Sequence, residues 1–181
     1  MNYICHSGGC PGADMTWETE GYKYNVKTIS YSFWNHVQHG KNQIILNDLE
    51  LKEGFQNVLK ANETLKRAIR DQAPYVKNLL SSNWFQVKNS DAIFAIGKFL
   101  NEKNVSGGTG WAIQMSIDNL KPTFMFDQIN NKWNKFNYDF DKFEVIDYVP
   151  KLTENFAGIG TREINMNGIN AIQTIYKNMG L

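Results

Sequence analysis

Three glycine-rich segments carry the residue types that could hold an anion. They are Ser7-Gly8-Gly9-Cys10-Pro11-Gly12-Ala13-Asp14, Ser106-Gly107-Gly108-Thr109-Gly110 and Gly158-Ile159-Gly160-Thr161-Arg162-Glu163. Each stands where an apolar strand pattern hands over to a helical one. Glycine lets a backbone approach a ligand closely, and first-turn N–H groups present the positive end of a helix dipole. For a single segment a tight turn is the plain explanation. Three of them at the carboxyl ends of neighbouring strands point to one shared cleft, with a nucleotide phosphate as the expected anion. The hydroxyls of Ser7 and Thr109 suit phosphate oxygens, or else cap helices. Arg162 offers a planar fork for phosphate, against a salt bridge to Glu163 or Asp14.

Two further sets of side chains have chemical potential. Asp14 and Glu18 lie one helical turn apart near the first segment,. Asp14 fits a hydrogen bond to ribose hydroxyls as well as it fits a first-turn carboxylate favoured by the dipole. Glu18 reads as a solvated helix residue. Cys5 and His6 are adjacent, so on a strand they face opposite ways and cannot easily chelate one ion,. No metal site and no cofactor are therefore expected. Cys10 has the chemistry of a nucleophile but lacks an evident base, His6 being the only close candidate. His36 and His39 read as residues of a pocket rim or of the solvated surface.

The elements that must position these residues follow from the apolar pattern. Short strands are expected at Tyr3–His6, Val26–Tyr31, Thr123–Asp127, Phe143–Ile146 and Phe156–Ala157,. Asp91–Gly97 is nearly continuously apolar, as a central parallel strand covered on both faces would be,. Helices are expected over Ala13–Glu20, ending at Gly21, and over Leu49–Asp71, Tyr75–Val87, Gly110–Asn119 and Asn167–Asn178. Trp17 and Trp111 read as packing residues, Trp17 in the core or at a dimer interface. Residues 32–47 read as a loop, and 130–134 as a hairpin turn. This alternation predicts an α/β fold: a Rossmann-like open parallel sheet with helices on both faces, in one domain spanning residues 1–181.

Composition narrows the setting. A formal charge of +1 and an apolar share of 42% argue against disorder and against a polybasic nucleic-acid surface,. The 2 cysteines make no disulfide framework, so a reducing cytoplasm is the expected home,. No apolar run approaches the length that crosses a bilayer, and no membrane partner is expected.

The chain closes with strand, Gly-x-Gly and helix, and it opens with strand, glycine loop and helix. Joining Leu181 to Met1 would make a continuous βαβ unit, the condition for a circular permutation. At this point the motifs become specific. Residues 7–14 resemble the S-G-G-x-x-G-A-D motif of the SLOG superfamily of Rossmann-like proteins, which includes LOG, DprA and YpsA. Asn89-Ser90-Asp91-Ala92, Ser106–Thr109 and Ala157–Glu163 are similar to further motifs of that group in permuted order. The arrangement resembles the circularly permuted YpsA family, with members described as molybdenum-cofactor carriers.

The resemblance implies a nucleotide-binding pocket but departs from LOG hydrolases at one position. Their P-G-G-x-G-T-x-x-E motif falls on Ser106–Gln114, so Trp111 replaces the threonine and Gln114 the catalytic glutamate. An amide can neither act as a general base nor carry the charge that stabilises an oxocarbenium-like centre. The first expectation is therefore capture of a nucleotide or an ADP-ribose-like, NAD-derived or cyclic molecule. For a viral gene this would be a sponge for an alarm nucleotide in the host cytoplasm. The alternatives are an N-glycosidic or phosphoester hydrolase using Asp14 or Glu163, and molybdenum-cofactor carriage. Since LOG-like relatives are commonly dimers, a homodimer or higher assembly is expected.

Overall fold

In a computed structural model, described for residues 2–69 and 71–179, the chain forms one eight-stranded sheet in the order β3-β2-β1-β8-β4-β5-β6-β7. The strands are β1 (Ile4–Ser7), β2 (Lys27–Ser32), β3 (Gln43–Ile45), β4 (Ala92–Gly97), β5 (Thr123–Asp127), β6 (Lys132–Asn137), β7 (Lys142–Val145) and β8 (Asn155–Gly160). The helices are α1 (Ala13–Tyr22), α2 (Asp48–Leu65), α3 (Pro74–Lys88), α4 (Gly107–Asp118) and α5 (Met166–Lys177). From β3 across to β5 every pairing is parallel, whereas β6 and β7 join antiparallel. The expected α/β sheet is thus mostly, not wholly, parallel.

Period-two alternation along β4 separates the two cores. Ile93 and Ala95 pack with side chains of α2, α3 and α4. Ala92, Phe94 and Ile96 pack instead with Trp17 of α1 and with Ala171, Ile172 and Ile175 of α5. Helices therefore cover both faces, which explains why this strand is apolar throughout. Trp17 is fully buried, so it belongs to the core.

Several expected boundaries move, for local reasons. The helix read as Leu49–Asp71 stops at Leu65, because Lys66 turns left-handed at φ 50. The Asn62 side chain then holds the released chain, accepting from Arg67 N–H at 2.8 Å and donating to its carbonyl at 3.0 Å. Arg70, inside that expected helix, lies outside the described residues. At its start α2 has a capping box between Asn47 and Glu50,. The stretch 32–47 is not all loop, since β3 adds an edge strand beside β2. The turn expected at 130–134 falls earlier, because Lys132, Trp133 and Asn134 already pair in β6.

The C-terminal strand β8 is central, lying between β1 and β4. Gly158 and Gly160 belong to this strand and not to a loop. The residue that caps α5 is Asn165, whose side chain accepts from Gly168 N–H at 3.1 Å. The third glycine segment therefore does not lead straight into a helix N-terminus. Met1 and Leu181, the ends that a permutation would join, lie outside the described residues.

Candidate functional site

The carboxyl ends of β1, β8 and β4 lie side by side, and the segments that follow them border one cleft of about 860 Å³. In open α/β sheets this edge is where ligands settle, and the volume is of nucleotide size. Each glycine segment contributes to the lining. Cys10 and Asp14 come from the first, Ser106, Gly107, Gly108 and Thr109 from the second, and Gly160, Thr161, Arg162 and Glu163 from the third.

The first segment differs from a phosphate cradle. Its amides turn inward onto Asp14: Cys10 N–H donates to the carboxylate at 3.4 Å, joined by backbone donors of Gly160 and Gly8. Burial nevertheless dominates and raises the carboxyl from 3.8 to about 7, with those amides and Arg162 pulling the other way,. Near neutrality the group therefore exists in both charge states. Glu18, expected in solvent, is buried and accepts from Tyr22 O–H at 2.7 Å and Lys41 N–H at 2.9 Å.

Several predicted ligand residues instead knit the loops together and do not border the cleft. Ser7 donates its hydroxyl to the Gly158 carbonyl at 2.8 Å, so that hydroxyl is committed inside the protein. Ala13 N–H donates to the Thr161 carbonyl at 3.0 Å. Gly12, at φ 96, lets the first segment lie against the backbone of Thr161 and Arg162, where any Cβ would stand 2.6 Å or less from three atoms. Gly8 and Gly9 leave room for the side chains of Asp14 and Gln38. Gly158 makes room for Cys5 and the Trp17 ring, each 2.7 Å from a notional Cβ. Gly110 accommodates the Val105 carbonyl and the Arg67 guanidinium.

The second segment is the open one. A Cβ on Gly107 or Gly108 would meet nothing within 4 Å. The amides of Gly107, Gly108 and Thr109 open α4 and have no preceding turn to donate to,. Arg67, itself part of the cleft lining, braces the segment, donating to the Gly107 carbonyl at 3.0 Å and the Val105 carbonyl at 2.6 Å. It also lies over the Trp111 ring, 5.9 Å from its centroid. Trp111 is accordingly a packing residue that also reaches the cleft wall. Gln114 is buried, donates to Asp118 Oδ1 at 2.8 Å, and does not line the cleft.

In the third segment Thr161 N–H donates to the Ile96 carbonyl at 2.9 Å, and its Oγ1 accepts from Glu163 N–H at 3.1 Å. Arg162 and Glu163 are exposed at the rim. Among the described residues Arg162 forms no ion pair with Glu163 or Asp14. Beside the first and second segments, α3 supplies an apolar wall of Val76, Leu79 and Leu80 with two amide side chains, Asn83 and Gln86. Neither Arg67 nor this wall stood out in the sequence, because Arg67 fell inside the helix expected over Leu49–Asp71 and the wall follows ordinary helical periodicity.

Cys10 has a histidine partner, but it is not His6. The His6 ring bonds Tyr31 O–H through Nδ1 at 3.0 Å and is buried in the sheet. Instead His36 Nε2 sits 3.5 Å from Cys10 Sγ, and His36 Nδ1 lies 3.2 Å from Ser32 Oγ. The imidazole stacks flat on Phe33, centroids 4.7 Å apart. The pairing of β1 with β2, in register from Ile4 with Lys27 to Ser7 with Ser30, makes the loops that follow these strands neighbours. Burial, with Arg162 nearby, lowers His36 to about 4, and burial with Asp14 raises the Cys10 thiol. Both groups rest uncharged.

The two thiols should differ sharply in reactivity. Cys5 is fully buried and its thiol is raised by that burial to about 12, whereas Cys10 borders the cleft,. Iodoacetamide is expected to modify Cys10 alone in the native protein, and Cys5 only after denaturation, as read by peptide mass. Equal labelling of both would contradict the described burial.

Among the described residues no group of three or more His, Cys, Asp or Glu is placed to hold a metal ion. No helix there is long and apolar enough to cross a membrane. No protein-family model matches this chain, and neither the curated proteins nor the solved structures contain a significant match.

Proposed function

We propose that this protein binds a phosphate-bearing nucleotide, or an ADP-ribose-like molecule, in the cleft at the carboxyl ends of β1, β8 and β4. The observation that carries the reading is convergence: segments about 100 and 150 residues apart along the chain border a single cavity of about 860 Å³,. In this reading a phosphate sits at the start of α4, against the open amides of Gly107 and Gly108, with Arg162 at the rim. The base and ribose lie along Val76, Leu79 and Leu80, where Asn83 and Gln86 offer hydrogen bonds to a base edge.

Kinship with the circularly permuted SLOG proteins is part of the proposal. Its support is the motif set together with the central position of β8 between β1 and β4. Starting the chain at β8 would make the β3-to-β5 portion an ordinary doubly wound sheet. The biological role proposed is sequestration of a signalling nucleotide by a homodimer or higher assembly. A second reading, hydrolysis, is favoured by one observation, the Asp14 carboxyl raised to about 7 beside the cleft,. Gln114 argues against a LOG-like version of it.

Native mass spectrometry after incubation with a nucleotide panel tests both ligand and assembly. Intact nucleotide or ADP-ribose bound in stoichiometric amount, on a dimer or larger species, is the expected result. Free base or ribose phosphate in its place would favour hydrolysis. No bound nucleotide from any class would refute the binding reading.

A further inference from the structure

Around the mouth of the cleft four groups meet that the binding reading does not use together. Cys10 Sγ stands 3.5 Å from His36 Nε2 and 4.0 Å from Arg162 Nη2. Cys10 N–H donates to Asp14 at 3.4 Å, and Cys10, Asp14 and Arg162 all border the cavity. Cys10, His36 and Arg162 arrive from three separate loops, following β1, β2 and β8, so chain proximity does not explain their meeting, and Asp14 joins them from the first turn of α1.

The geometry points to a phosphoryl-transfer site in which Cys10 is the nucleophile toward a terminal phosphate monoester held in the cleft. This rests on the nucleotide-binding reading and replaces intact retention by cleavage for a nucleotide that ends in a phosphate monoester, while an ADP-ribose-like ligand, which has none, stays whole. The tautomer of His36 that donates Nδ1–H to Ser32 leaves the Nε2 lone pair directed at the thiol, the arrangement of a base held by a third group. Arg162 places a guanidinium beside the sulfur, where it can neutralise equatorial phosphate oxygens. Asp14 supplies the acid on the same cleft wall.

The chemistry balances with these groups alone. As the S–P bond forms, the thiol proton passes to His36 Nε2. The P–O bond to the leaving alcohol breaks, and the Asp14 carboxyl proton goes to that oxygen. Water then attacks phosphorus, giving one proton to the Asp14 carboxylate. The S–P bond breaks, inorganic phosphate departs, and His36 returns the proton to sulfur. Burial sets the starting state, holding Cys10 and His36 uncharged and raising the Asp14 carboxyl so that a proton remains on it near neutrality. The same burial makes transfer of the thiol proton to His36 uphill, a cost that the Arg162 guanidinium beside the sulfur reduces,.

The test uses the full chain with p-nitrophenyl phosphate and phenyl phosphate, followed by acid quenching and peptide mass analysis. The wild type is expected to hydrolyse both and to show phosphate trapped on the Cys10 peptide. Cys10→Ser and Cys10→Ala should each lose at least ~100-fold in rate, as expected when a nucleophile is removed. Both variants should melt as the wild type does. Asp14→Asn should slow phenyl phosphate far more than p-nitrophenyl phosphate, whose leaving group needs little protonation. Undiminished hydrolysis by both Cys10 variants overturns the proposal. So does a wild type that retains nucleotide yet neither hydrolyses these esters nor carries phosphate on Cys10, an outcome that leaves the binding reading standing. Hydrolysis dependent on Cys10 in a protein that retains no nucleotide would support the thiol step and reject the nucleotide as occupant.

Discussion

Asp14→Asn is expected to change how stability depends on pH more than any other single substitution in the cleft. The carboxyl is raised from 3.8 to about 7 in the folded protein. Between these values the native state binds more protons than the unfolded chain, so this group makes stability fall as pH rises from about 4 to about 7, and its effect is flat above,. At ~1.4 kcal/mol per pH unit the full penalty is on the order of 4 kcal/mol. His36 works against it. Lowered from 6.5 to about 4, it makes stability rise with pH over much of the same window,. The informative quantity is therefore the difference between wild type and variant, measured by urea unfolding at pH 5 and pH 8. The variant should gain relative to the wild type at pH 8, less whatever its amide loses in bonding the three backbone donors. A parallel pH dependence in the two proteins would show that Asp14 is not held in the raised state.

Gly108→Phe and Gly160→Phe should fail in different ways, although both positions line the cleft. A side chain on Gly108 enters open space. The fold should tolerate it, with a melting temperature near that of the wild type, while the ring fills the start of α4. Nucleotide affinity is expected to fall by about 100-fold or more, equivalent to ~2.7 kcal/mol. At Gly160 a Cβ would already stand 2.5 Å from the Ile96 carbonyl oxygen and 2.7 Å from the Ala13 Cβ. Neither neighbour is the end of a flexible chain. Overpacking there is expected to cost at least the ~3 kcal/mol upper end usual for cores, visible as a lowered melting temperature without ligand. Full nucleotide binding by Gly108→Phe would remove the start of α4 from the proposed site.

These two glycines illustrate why a glycine-rich motif is ambiguous on its own. In sequence, Gly107, Gly108, Gly110, Gly158 and Gly160 look alike. In the fold, Gly107 and Gly108 face a cavity, Gly110 and Gly158 accommodate other parts of the protein, and Gly160 does both. Asp14 shows the same ambiguity from the other side. Amides of the loop expected to grip a ligand bond the Asp14 side chain instead, four residues along from Cys10.

The amino-acid order alone determined the α/β class, the identity of most strands and helices, and the three segments that border the cleft. Those features follow from periodicities and from glycine, asparagine and proline signals that act within a few residues. The tertiary structure decided the placement of β8 between β1 and β4, the antiparallel turn-back at β6, the burial of Glu18, and the meeting of Cys10 with His36 and Arg162. Each of these depends on which strands become neighbours. That choice is made by burying two apolar faces at once, a property of the whole sheet that no local stretch of chain contains.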